Sequence, residues 1–383
     1  MFPPKNCSGC GACVHRCPVQ AIRYIRDHEG FYYPSVDKAV CVNCGLCEKI
    51  CPVLSPKLKR PAVPVAYASQ CLREEIRSAS SSGGIFSLLA ENVIRRGGMV
   101  VGCAMTADCY AAEHRVVHEI EDISEIREAK YLQSRADQVY PAIKEALEGG
   151  KHVLFSGTPC QVVGLRSYLS GVCEERLITV DLICHGVPSP LVWEKYVKHW
   201  EEIKGSKAVS VRFRDKQQGW ENYSLVLRFE NGDEYRSLSS RDPYCKGFVS
   251  DFFLRRSCYS CHAKGESHVS DITLGDFWGM NNVCPSMNDH KGTSLVLLNT
   301  KKGEELFHSV RDEALWSEVD FQEAIRHNPS YSRSSEKAAY RYHFMKRIHK
   351  KPIFKHLQAY TGMQMRYRIQ RKVIAITGKF YSR

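Results

Sequence analysis

The stretch "CSGCGACVHRCP", Cys7–Pro18, returns as "CVNCGLCEKICP", Cys41–Pro52, so that one template, C-x-x-C-x-x-C-x-x-x-C-P, is written twice within the first 52 residues. Three cysteines on a two-residue stride wrap three corners of an iron–sulfur cubane, glycines let the backbone approach the sulfides, and the cysteine before proline ligates the other cluster. By that rule one 4Fe-4S cluster takes Cys7, Cys10, Cys13 and Cys51, and a second takes Cys41, Cys44, Cys47 and Cys17. Two structural zincs are the rival reading, because zinc also accepts four thiolates. Zinc sites use separated C-x-x-C pairs, however, and have no need of the third cysteine or of the C-P ending in both copies.

Working outward, the chain of 383 residues is long enough for two or three domains. Eighteen cysteines raise the alternative of a disulfide-rich secreted protein. Eight of them at metal-ligand spacing, no basic-then-apolar leader in "MFPPKNCSGC" and no run of 18 or more apolar residues point instead to a cytoplasmic protein in a reducing, oxygen-poor cell. After the cysteine-rich head, "VLSPKLKRPAVPV", Val53–Val65, carries three prolines among basic residues and reads as an extended linker.

Beyond the linker, β-type runs alternate with helical patterns: "VAYAS", "GGIFSLLAENVIRRGG", "MVVGCAM", "ADQVYPAIKEALEGG", "HVLFSG", "PCQVVGLRSYLS" and "LITVDLICHG". Alternation of this kind marks a layered α/β domain. A β-rich stretch follows, with "AVSVRFRD", "YSLVLRFENGDEYRSL" and "DITLGDF", and from about Lys301 the pattern reads as helical to the end. The expected organisation is a head over 1–54, a linker over 55–65, the two parts of one α/β domain over 66–150 and 151–320 with a β-rich insertion, and a basic helical tail over 321–383.

Other candidate sites come from local chemistry. "SASSSGGIFSLLAENV", Ser78–Val93, is a Ser/Gly-rich turn entering a helix, where unpaired N–H groups and a positive dipole end suit a phosphate or the polar edge of a flavin; an ordinary helix cap is the competing reading. "REAKYLQSRA", Arg127–Ala136, offers Lys130, Gln133 and Ser134 either as ligand contacts or as a solvated edge. No G-x-G-x-x-G follows a strand, which disfavours a dinucleotide-binding Rossmann domain.

Four further cysteines stand at element ends. Cys160 in "FSGTPCQVVGL" opens a helix after a strand, Cys184 in "VDLICHGVPSP" ends the next strand, and Cys258 and Cys261 share "SCYSCHAK". In a parallel sheet the carboxyl ends of strands meet along one edge, so the first two thiols can converge there, with the pair completing a four-thiolate site. Spacing alone leaves cluster, zinc and free thiols open. Cys71, Cys103, Cys109, Cys173, Cys245 and Cys284 read as core thiols.

In this order, "SSGGIFSLLA", "KYLQS", "SGTPCQVVGLRSYL", "VDLICHGVPSPLVW", "CYSCHAK" and "SDITLGDFWG" resemble the family of coenzyme F420 hydrogenase/dehydrogenase beta subunits, here behind a two-cluster ferredoxin-type domain, over roughly Cys7 to Thr300. The resemblance implies an iron–sulfur flavoprotein that moves electrons between clusters and FAD and on to a deazaflavin or another organic substrate. It implies a third 4Fe-4S cluster on Cys160, Cys184, Cys258 and Cys261, and flavin contacts around Ser82, Gly83, Gly84, Lys130, Gln133 and Ser134. Asp271, Asp276 and Trp278 are candidate bounds of the active site, His185 a candidate proton relay, and Gly292 and Thr293 candidate backbone contacts. No catalytic acid is assigned. Two other readings keep the scaffold: a ferredoxin-dependent reductase of a metabolite in surface-polysaccharide assembly, and a non-catalytic electron relay within a larger redox complex.

The net charge of +12 is local. Residues 331–383 hold 14 Lys and Arg against one acid, Glu336, and the rest of the chain is nearly neutral. Packing of a charged-faced helix on the body, docking to an anionic membrane surface and capture of an acidic redox partner are the readings of this tail, with nucleic acid ranked last because no binding module accompanies the charge.

Overall fold

The computed structural model describes residues 3–56 and 63–363. The core of the linker and the last part of the basic tail, with the membrane contact expected of it, lie outside the described residues. Alternating patterns produce a hairpin in the head, β1 (Ile22–Arg26) and β2 (Tyr32–Val36), and then β3 (Val65–Cys71), β4 (Met99–Met105), β5 (Ala112–Val117), β6 (Ser134–Arg135), β7 (Val153–Ser156) and β8 (Leu177–Leu182). They are followed by β9 (Ala208–Asp215), β10 (Ser224–Phe229), β11 (Glu234–Leu238), β12 (Ile272–Asp276), β13 (Ser294–Leu298) and β14 (Ala314–Val319).

Nine of these strands form one mixed sheet in the order β14-β3-β13-β12-β8-β7-β4-β5-β6. At its centre β12, β8, β7 and β4 run parallel, so their carboxyl ends share one edge. Alternate residues feed opposite faces. Val100, Leu154 and Val180 join the helix Ile85–Arg95 in one core, while Met99, Val101, Val153 and Phe155 join the helices Tyr140–Glu148 and Pro159–Leu169 in another. Both faces are therefore covered, as the apolar runs of the central strands require. A separate sheet, β11-β10-β9, packs its apolar side with the helix Pro190–Lys204 and the C-terminal residues Phe344, Ile348 and Leu357.

Three sequence expectations are corrected. "DITLGDF" does not belong to the β-rich insertion: β12 pairs with β8 and β13 in the centre of the main sheet, where burial on both faces overrides its neighbourhood in the chain. The region after Lys301 is not helical throughout, because "ALWSEV" forms β14, an edge strand antiparallel to β3 whose exposed Leu315 and Trp316 face outward. "HKGTSLVLLNT" contains a fully buried strand, β13, where loop contacts were expected. Within the described residues the basic tail follows the packing reading, since Phe344, Met345, Ile348, Leu357 and Tyr360 are buried.

The head is locked to the body through buried polar contacts. Glu29 lies between Arg341 (2.6 Å) and Arg256 (3.0 Å). Burial opposes its ionisation, but these two guanidiniums outweigh that and hold its carboxyl below the usual range. Ser189 Oγ donates to Glu29 O and Tyr140 Oη to Cys10 O.

Candidate functional site

In the head, Gly11 in the left-handed region opens the short helix Ala12–Arg16. Only glycine fits there, because a Cβ would come within 2.2 Å of Asp137 Cβ. The turn folds the first triplet back on the end of the second repeat, and Cys7, Cys10, Cys13 and Cys51 line one cavity of about 350 Å³, the set that the cross-ligation rule selects. Cys10 and Cys13 are pushed up by burial and then by the neighbouring thiols, Cys10 to about 12. The second set lies nearer the surface: Cys44 is exposed, Cys17, Cys41 and Cys47 are half-buried, and Cys17 Sγ accepts from Ala21 N at 3.3 Å.

At the carboxyl edge of the sheet the four later cysteines converge. Cys160, Cys184, Cys258 and Cys261 line one cavity of about 480 Å³, together with Arg255, His262, Lys264 and His268. Cys160 is placed by the helix Pro159–Leu169, whose start is fixed by the reciprocal capping of Thr158 and Gln161. Cys184 follows β8, and Cys258 and Cys261 stand on a 3-10 turn, Arg256–Ser260, and its exit. Burial pushes Cys184 up to about 12 and Cys258 to about 11, and Cys160 rises further, by burial and then by Cys261, Cys184 and Cys258. Thiols so arranged stay protonated until a strong local positive charge is supplied, which a bound metal centre does.

Among the described residues no group of three or more His, Cys, Asp or Glu side chains converges tightly enough to hold a single metal ion. The thiols ring voids instead, and a void with four sulfurs on its wall fits a multi-atom cluster better than the point site of zinc. The nitrogen His262 Nε2 is buried without a partner, as is His268 Nε2, while His268 Nδ1 meets Asp181 Oδ2 at 2.8 Å. His185 also borders the cavity, with Nε2 2.8 Å from Asp251 Oδ1.

Directly beside this cage opens a cleft of about 1240 Å³. Thr158 and Gln161, on either side of Cys160, and Leu182 and Ile183, just before Cys184, line it. Of the residues that the resemblance implies as flavin contacts, Ser82, Gly84, Lys130 and Ser134 stand on its wall. Gly83 instead packs on the sheet, where a Cβ would meet Ser69 O at 2.3 Å, and Gln133 faces the head, its Oε1 accepting from Tyr32 N. The Ser82 hydroxyl is engaged by Thr293 O at 2.8 Å, and the Lys130 ammonium by the carbonyls of Arg127, Glu125 and Glu128. Burial lowers the pKa of Lys130 and of Arg127, which also lines the cleft.

Asp276 borders the cleft and holds the buried Arg214 at 2.7 Å, while Trp278 stacks on Trp220 outside it. Asp271 is structural: one oxygen accepts from Arg166, Thr179 N and Thr179 Oγ1, each at 2.8 Å, at the amino end of β12. Gly292 O accepts from Arg77, and Thr293 Oγ1 from Gln70. Cys103, read as a core thiol, is on the cleft wall.

Sequence reasoning passed over His114. It is buried on β5, stacked on Phe155 at 5.3 Å, and its Nε2 lies 2.9 Å from Ser156 O. A carbonyl only accepts, so Nε2 carries the proton and Nδ1, which has no partner, is left as an acceptor in a residue that lines the cleft. Alternation in "AEHRVV" was the available signal.

Comparison with known proteins agrees with this layout. Residues 6–54 match the 4Fe-4S dicluster domain, which makes the chain an iron–sulfur redox protein. Residues 150–323 match the C terminus of the coenzyme F420 hydrogenase/dehydrogenase beta subunit, and the chain belongs to that family. One F(420)H(2) dehydrogenase subunit, from Methanosarcina mazei, is 24% identical over 316 residues, covering 80% of this chain and 83% of that protein. Coenzyme F420-dependent sulfite reductase of Methanocaldococcus jannaschii is 20% identical over 315 residues, 79% of this chain but 46% of that protein. Among solved structures, a chain of the F420-reducing [NiFe] hydrogenase complex from Methanosarcina barkeri aligns with a TM-score of 0.49 and 17% identity over 83% of this chain and 96% of that one.

Proposed function

We propose that the chain is a three-cluster iron–sulfur flavoprotein oxidoreductase, with Cys7, Cys10, Cys13 and Cys51 holding the inner head cluster, Cys17, Cys41, Cys44 and Cys47 the outer one, and Cys160, Cys184, Cys258 and Cys261 the third. When bound, the clusters supply one-electron steps and FAD supplies exchange of one or two electrons. The observation that carries the reading is contiguity. Ser8 borders both the inner head cage and the third cage, and the segments Thr158–Gln161 and Leu182–Cys184 border both the third cage and the cleft.

Within that path the protein's own groups bind and orient. The helix start at Gly84 and Ile85 offers N–H groups to an anionic edge, the basic groups Arg127 and Lys130 complement phosphate, and His114 Nδ1 accepts from a ligand N–H. The names of the two relatives above contain coenzyme F420, which supports a deazaflavin-type partner for the bound flavin. A redox partner protein docks at the head, where Cys44 and the neighbouring Val42 are exposed. Anaerobic purification followed by iron and flavin analysis tests the scheme: about twelve irons and one FAD per chain are expected, and about eight irons with no flavin would reduce the protein to a two-cluster relay.

A further inference from the structure

We infer that Arg255 is a shared counter-ion, held between the inner head cluster and the third cluster, that raises the reduction potential of both. The proposal rests on the three-cluster reading above. Arg255 is 1% exposed, lines the third cage, and lies three residues before Cys258, whose N–H donates to Arg255 O at 2.9 Å. Its Nε donates to Cys7 O at 2.9 Å, and a Cβ on Gly9 would lie 3.0 Å from both its Cζ and its Nη2, so the guanidinium rests against the backbone of the first cysteine triplet. One fork therefore touches the walls of two cages.

What it lacks is an acid. Nη1 meets only the neutral Gln133 amide oxygen at 3.3 Å, and Nη2 is buried without a partner. Among the described residues no carboxylate forms a salt bridge with Arg255; nearby Glu29 is taken by Arg256 and Arg341. The rings of Tyr33, 4.0 Å from Cζ, and Phe31, 5.6 Å away, return part of the lost hydration. An arginine cannot escape the cost of burial by giving up its proton, so a buried guanidinium without an anion is costly. A cubane held by four thiolates carries net negative charge, and two such anions on either side supply what the protein's carboxylates do not.

The functional consequence follows from sign. A fixed cation favours the more negative, reduced form of each adjacent cluster, so removing it lowers both midpoints. A salt-free structural staple would have no such effect on potential. The test is an EPR-monitored redox titration of the anaerobically reconstituted full chain. In Arg255→Gln the midpoints of the inner head and third clusters fall while that of the outer head cluster, on Cys17, Cys41, Cys44 and Cys47, stays in place; in Arg255→Lys, which keeps the charge, all three stay near wild type. Full iron content with unchanged midpoints in Arg255→Gln overturns the proposal, as does an equal fall in both variants. If Arg255→Gln cannot hold iron, Tyr33→Glu decides, because a carboxylate beside the retained guanidinium should neutralise its field: lowered midpoints at the same two clusters support the proposal and unchanged ones sink it. A wild-type chain with about eight irons and no third signal would instead sink the three-cluster reading itself.

Discussion

His114 shows how a single side chain carries both stability and binding. Burial, opposed by the Ser156 carbonyl, pushes its pKa down to about 4, so it stays neutral in the folded protein at pH values where an unfolded histidine, titrating at about 6.5, is already charged. The unfolded chain then binds more protons, and stability falls as pH drops from about 6.5 toward 4. In His114→Phe that share of the slope is absent, so the thermal midpoint should fall less steeply with acidification than in the wild type. An identical pH profile for the two proteins would show that His114 does not titrate in this way. His199, His262 and His356 are lowered in the same direction and leave a residual slope. His114 was illegible in the sequence because its partners, Ser156 O and Phe155, lie on a strand some forty residues on. The head cysteines were legible because their ligand geometry is written in spacings of two and three residues.

The helix Pro159–Leu169 joins the three candidate sites. Its capped start places Cys160 in the third cage, Gln161 Nε2 donates to Ser134 Oγ on the cleft wall at 2.9 Å, and one turn on Gly164 lies against the head. A Cβ at Gly164 would stand 2.5 Å from Cys10 Cβ and 2.9 Å from its sulfur. Alanine there gains about 1 kcal/mol in helix propensity but overpacks the contact, a cost of about 1–3 kcal/mol. Gly164→Ala should therefore lower the thermal midpoint or be near neutral in stability, and it should lose iron from the inner head site first; full iron and a raised midpoint would show that the head yields freely at this contact. Thr-Pro before an apolar run announced this helix. Its pairing with a head residue was not legible, since nothing local links Cys10 to Gly164. Likewise β14 was hidden because "ALWSEV" becomes a strand only through its register with β3.

Across the whole molecule, the parallel strands gather Ser156, Leu182 and Asp276 at one edge, and the cleft and third cage share that edge as the switch-point rule for open α/β sheets leads one to expect. Strand order was beyond the sequence: β12 and β13 come late in the chain yet sit mid-sheet, a choice made by burial on both faces. The buried Glu29 between Arg256 and Arg341 fixes the head on this edge, so the inner head cage meets the third cage at Ser8. The account therefore makes the third cage the link between head and cleft, and Cys258→Ser tests this most directly. In the anaerobically purified variant, iron should fall from about twelve toward about eight per chain. Both head EPR signals should persist, and reduction of the bound flavin by a one-electron donor acting at the head should be lost. Unchanged iron content together with unchanged flavin reduction would contradict it.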